Sequence, residues 1–195
     1  MATHSDFRLR RQAWAIACLA ATALAVASNK QPTEYLDEDT GATVTVVREP
    51  LVFAHEGSGS GRDYVTLAAA WVDRSGRLSY VLIGYIWSVG WPVSPKESQR
   101  AAEELVLQAD DQRIELTRQD LSPHELGIGV PVHRPPVGAA KPYVYVTDLA
   151  TVRLLAESSH LSLHVQDRTA AANYRLFQDG RGALKEFVRF ATTRF

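Results

Sequence analysis

DYVTLAAAWV (residues 63–72) and RLSYVLIGYIW (residues 77–87) flank the tetrapeptide Asp73-Arg74-Ser75-Gly76. Gly76 can take the positive φ that a tight turn needs, so the two runs read as the arms of a β-hairpin. Both arms are apolar on both faces over part of their length. That pattern belongs to central strands with something packed on each side. Gly84 interrupts the second arm and marks a bulge or the close approach of another element.

Working outward, ELVLQA (104–109) and RIELT (113–117) form a second hairpin around Asp110-Asp111-Gln112. Leu105, Leu107, Ile114 and Leu116 alternate with Glu104, Gln108, Arg113 and Glu115, so one face should be wet. Upstream, ATVTVV (42–47) and LVFAH (51–55) are β-branched and apolar runs interrupted at Glu49-Pro50. Proline cannot donate to a ladder, so these are two strands meeting at a corner or edge. Downstream, PYVYVTD (142–148), HLSLHVQD (160–167) and NYRLF (173–177) resume strand periodicity. Asp148 is placed to cap a short helix, LATVRLLAES, and a second helix in GALKEFVRFA carries Leu184, Phe187, Val188 and Ala191 on one apolar face. The expected fold is α+β but mainly β: a single antiparallel domain, sandwich-like or a twisted sheet, with a short helix and a C-terminal helix packed on it. SPHELGIGVPVHRPPVGAAKP (122–142) is too rich in proline and glycine for either element. It is long for a loop, which makes it functional or a crossing between halves of the fold.

The amino terminus sets the expected location. Arg8, Arg10 and Arg11 precede fifteen uncharged residues, Ala13 to Ala27, that end in Ala25-Val26-Ala27. This is the order of a secretory signal peptide, residues 1–27, with cleavage between Ala27 and Ser28. The run is short for a membrane span, which takes roughly 20 apolar residues. Lipidation at Cys18 is one alternative, although only five apolar residues separate Gln12 from that cysteine, and an uncleaved anchor is the other; a membrane is an expected partner only in those two cases. A polar leader (28–41) and one β-rich domain (42–195) then follow.

Cys18 is the only cysteine and Met1 the only methionine. A chain processed at Ser28 therefore has no thiolate nucleophile, iron–sulfur cluster, cysteine-bound zinc, blue-copper site, Met-ligated haem or disulfide. The net charge is −1, and loss of three arginines against one aspartate with the signal segment makes the remainder more acidic. No basic stripe exists to follow a phosphate backbone, so nucleic acid is not an expected partner.

The leader's EYLDEDTG (34–41) gathers four carboxylates, and the question is whether they hold a cation. An EF-hand loop starting at Asp37 would place Asp39 third but Gly41 fifth, Ala42 sixth and Arg48 twelfth, so the template fails. The plainer reading is a solvated segment in which Asp39-Thr40-Gly41 turns the chain into the first strand. GSGSG (57–61) lacks the Gly-Lys-Ser/Thr ending of a phosphate loop. His160 and His164 on a strand stand roughly 13 Å apart, too far to share a metal. Ser88 and Ser60 both lack the first glycine of a nucleophile elbow. No catalytic residue, metal site or cofactor is therefore assigned. Tyr85 and Trp87 share a strand face and Trp91 follows in the connecting loop. Rigid amphipathic aromatics near a strand end suit recognition of a protein, peptide or sugar.

Three segments, PTEYLDEDTGATVTVVREPLVFA, YVLIGYIWS and YRLFQDGRGALKEF, resemble a group of short exported bacterial proteins, several of them lipoproteins. The resemblance implies an envelope location and one β-rich domain, and carries no catalytic residue with it. This chain departs from the lipoprotein members in placing Cys18 inside the apolar core and well upstream of Thr33. The expectation is an exported periplasmic or cell-envelope binding or accessory module without enzymatic activity. The alternatives are a periplasmic hydrolase assembled only in the fold, and a membrane-tethered lipoprotein with a structural role.

Overall fold

The computed structural model of the protein describes residues 30–56, 62–90, 101–134, 137–138, 140–166 and 171–194. Ala25, Ala27, Ser28 and Cys18, with the whole signal segment, lie outside the described residues, as do Trp91 and the GSGSG run. The elements are β1 (Thr33–Asp37), β2 (Ala42–Val46), β3 (Leu51–Glu56), β4 (Arg62–Arg74), β5 (Arg77–Val89), β6 (Glu104–Ala109), β7 (Gln112–Gln119), β8 (Pro142–Thr147), α1 (Leu149–Glu157), β9 (Leu161–Gln166), β10 (Ala171–Gln178) and α2 (Arg181–Arg194). The domain is mainly β, and every strand pair is antiparallel.

The hairpin of β4 and β5 organises the rest. Ser75 and Gly76 both have positive φ (56° and 80°), and the Asp73 carboxylate accepts the Gly76 N–H at 2.9 Å. The far edge of β4 is divided: Arg62–Leu67 pairs with β3, and Ala70–Asp73 pairs with β2. The Glu49-Pro50 corner lies between them, where the ladder needs no N–H from proline. β3 leads on through β10, β9, β6, β7 and β8 to β5, which returns to β4. Eight strands thus close into a barrel, and β1–β2 extends from it as a flap. The mainly β antiparallel domain expected from sequence, sandwich-like or a twisted sheet, is refined to a closed barrel. Alternation within each strand gives its faces but not its partners, and the pairing of β5 with both β4 and β8 removes the barrel's free edge.

Register partners point to the same side of a sheet. Phe53, Leu67, Leu82, Leu107, Tyr145 and Leu163 are turned inward and are at most 1 % exposed. On β6, β7 and β10 the opposite face carries Glu104, Arg113, Glu115 and Arg175, which are exposed. On β4 and β5 both faces are buried over much of their length, as their sequence anticipated, and Val144 of β8 is buried beside them, because a second layer lies outside. That layer is the proline-rich segment, which crosses the outer face as a strap. Ile128 (2 %) and Val132 (9 %) bury against the barrel. A Cβ on Gly127 would stand 2.9 Å from the Ala42 Cβ, and the residue's φ of 101° also demands glycine.

The two helices join the main core. Asp148 caps α1 by accepting the Thr151 N–H at 2.6 Å, and Val152, Leu155 and Ala156 are buried. On α2, Phe190 stacks on Trp71 at 5.6 Å, and Phe187 meets the same ring at 5.2 Å. Arg194 at the end of α2 reaches Glu34 of β1. The segment read as a polar leader thus supplies a strand and an ion pair to the fold.

Candidate functional site

The four leader carboxylates do not act together. Asp37 is 2 % exposed and accepts the Gly129 N–H at 2.8 Å, the Val130 N–H at 3.3 Å, and both the N–H and the hydroxyl of Thr40 at 3.0 Å. Burial works to raise this carboxyl, and the hydrogen bonds outweigh it and hold it below the usual carboxylate range. The reading of this segment as simply solvated is corrected at Asp37: beside the local Thr40, its partners Gly129 and Val130 lie some ninety residues away, beyond the reach of any local pattern. Glu34 pairs with Arg194, and Asp39 contacts His124 at 3.2 Å. No cluster of three or more His, Cys, Asp or Glu suited to a metal occurs among the described residues.

His133 completes the strap's attachment. Its Nε2 donates to the Val47 carbonyl at 3.0 Å, and its own carbonyl accepts from the Tyr85 hydroxyl at 3.2 Å. Burial pushes the imidazole pKa down, against the opposing effect of that hydrogen bond, so the ring is neutral at pH 7. Tyr85 is only 1 % exposed. It lies beneath the strap and is no surface contact, although it does share the outer face with Trp87. Ile83, Tyr85, Ile128, Val130 and Val132 line an apolar cleft of about 220 Å³ at the strap, with Ser122 and His124 on its rim.

The hydrolytic alternative needs a serine, a histidine and a carboxylate in one chain of hydrogen bonds. Ser122 and Glu125 instead form a reciprocal capping pair, in which the Glu125 carboxylate takes both the Ser122 N–H and its hydroxyl at 2.7 Å. The serine proton therefore goes to Glu125, while His124 is engaged separately with Asp39. His160 pairs with Asp110, and His164 bonds the Asn173 side chain. His160 lies just ahead of β9 and His164 on it, and the two serve different partners.

The aromatic site is elsewhere on the outer face. Arg175, Ala54, Tyr64 and Trp87 are successive register partners across β10, β3, β4 and β5. Trp87 stacks on Tyr64 at 4.2 Å and donates its indole N–H to the Thr66 hydroxyl at 3.0 Å. Phe177, 60 % exposed, meets the edge of Tyr64 at 5.5 Å. It stands where the register between β10 and β3 shifts, which leaves its ring outward. Because Ala54 is small and its neighbours are large, the row dips there into a groove of about 450 Å³. Its lining includes His55, Arg62, Asn173, Arg175 and Phe177. Of the residues picked out from sequence, Trp87 belongs to this patch and Tyr85 does not. Tyr64 and Phe177 were missed; an aromatic on the polar face of an otherwise alternating strand was the available signal for Phe177.

At the same end of the barrel, where it borders the groove, the His55 Nδ1 donates to the Asn173 carbonyl at 2.9 Å, and its ring lies 5.3 Å from Tyr174. Burial and the nearby Asp63 charge push the Tyr174 phenol up to about 12. It stays protonated at neutral pH. Comparison with protein-family models, with curated proteins and with solved structures finds no match to this chain. Among the described residues no helix is long and apolar enough to cross a membrane.

Proposed function

We propose that this protein is an exported module of the bacterial cell envelope that works by binding, without a cofactor, and that its ligand lies on the outer face of the barrel across the Arg175–Ala54–Tyr64–Trp87 row. The observation that carries this reading is an exposed phenylalanine beside a stacked Tyr–Trp pair, bordering a groove with polar and cationic walls. Rigid aromatics with a few fixed polar groups around a concavity are typical recognition equipment. The arginine-led, alanine-rich amino terminus and the resemblance to exported proteins support envelope location. The hydrolase reading ranks below it because Ser122 and His124 are each committed to a different carboxylate.

Replacing Phe177 with Ala tests the reading. The variant removes a mostly exposed ring, so the fold should survive, and capture of an envelope glycan or peptide ligand should fall by about tenfold or more. Undiminished capture by a folded Phe177→Ala protein would remove the groove from consideration. Intact mass from the native host tests export: a chain starting at Ser28 supports it, and an acylated chain starting at Cys18 points to the tethered alternative.

A further inference from the structure

Resting on the binding reading above, we infer that the groove takes an acidic saccharide, with a carboxylate held by Arg175 and a sugar face laid against Phe177.

The sheet register supplies the layout. Arg175 and Ala54 are partners on the outer face, so the guanidinium stands directly beside the small residue that forms the floor. Arg175 is exposed, and Arg62 lies on the other wall. A guanidinium presents a planar fork of donors that matches a carboxylate two bonds at a time. A hydrogen-bonding side chain stands next to it. The His55 Nδ1 is committed to the Asn173 carbonyl, which leaves Nε2 to bond a hydroxyl. Phe177 adds an exposed apolar ring, backed by Tyr64. An anion fork, hydroxyl partners and a flat apolar surface together describe an acidic sugar.

The alternatives fit less well. An extended peptide adding as a strand needs a free edge, and here β3 is paired on both sides, to β4 and to β10. A wholly apolar ligand would desolvate the exposed Arg175 guanidinium without giving it a partner. The groove's volume of about 450 Å³ lies in the ordinary range for a small ligand and holds about one or two sugar rings.

The test is calorimetric titration of the full chain with a short oligogalacturonate and with its fully methyl-esterified form, repeated on Ala54→Leu and Arg175→Gln. Thermal melts confirm that both variants fold. The expected result is binding of the acid but not the ester, weakened about tenfold or more by Arg175→Gln and lost in Ala54→Leu, which fills the floor. Equal binding of acid and ester overturns the ionic part while leaving the groove as the site. Binding that survives Ala54→Leu overturns the location and the binding reading with it. No binding of the acid to the wild type overturns the inference, and a panel of neutral saccharides and peptides against Ala54→Leu then decides whether the groove binds at all.

Discussion

The Asp37 carboxylate accepts the backbone N–H of Gly129, 92 positions along the chain, at 2.8 Å. With Val130 on the same carboxylate, this contact ties the strap to the β1–β2 flap. The strap in turn covers apolar side chains on the outer face of β4, β5 and β8. A buried carboxylate that serves several N–H groups cannot be replaced without leaving donors unpaired.

Asp37→Ala should therefore loosen the strap selectively. Amide hydrogen exchange at Gly129 and Val130 is expected to speed up by about tenfold or more, while the amides of β6 and β9 are unchanged. Uniform acceleration across the chain would mean that Asp37 supports the whole fold and not the strap in particular.

The same carboxyl makes the attachment acid-sensitive. Its folded pKa is depressed, so its contribution is present above the unfolded value of about 3.9 and is lost as pH falls through the folded value. Strap exchange should rise below about pH 4, and Asp37→Asn should remove that rise.

His133 acts at higher pH. Its folded pKa is also depressed, so its contribution is complete above the unfolded value of about 6.5 and declines as pH falls below it. Denaturant midpoints measured between about pH 7 and pH 5 should drop in the wild type and drop less in His133→Asn. Equal slopes in the two proteins would show that the imidazole does not resist protonation in the fold.

Two glycines should differ in tolerance. A Cβ on Gly180 would stand 2.5 Å from the Pro50 carbonyl oxygen, which is backbone, whereas one on Gly84 would stand 2.8 Å from a carbon of the Tyr145 ring. A ring can shift and a barrel corner cannot. Gly84→Ala is expected to cost about 1–3 kcal/mol and Gly180→Ala more, read from chemical denaturation. The reverse order would contradict the packing at the corner.

Trp71 joins α2 to the barrel through Phe187 and Phe190 and is 1 % exposed. Trp71→Ala should cost about 3–5 kcal/mol and leave α2 the least protected element in hydrogen exchange.

Much of this architecture was legible in the sequence because it follows from local chemistry. The turn at Ser75-Gly76, the Asp148 cap, the corner at Pro50 and the close approach at Gly84 each depend on what one residue permits its own backbone. Barrel closure was not legible, since the partners of β5 and β10 depend on the whole set of strands. The strap was visible only as an irregular proline-rich stretch, because its attachments to Asp37, Val47 and Tyr85 are all distant in sequence. For the candidate site, two-residue periodicity correctly put Tyr85 and Trp87 on one face. It gave no sign that the strap covers one of them, nor that Arg175 and Phe177 would be carried beside the other.

The most direct measurement is a nuclear magnetic resonance titration of the nitrogen-15-labelled protein with a panel of acidic and neutral oligosaccharides and peptides. Binding at the groove predicts that one ligand shifts the Trp87 indole N–H together with the amides of Ala54, Arg175 and Phe177, and that it is recovered intact. Shifts centred on Ser122, His124 and the strap cleft, with cleavage of the ligand, would contradict the account and favour a hydrolase.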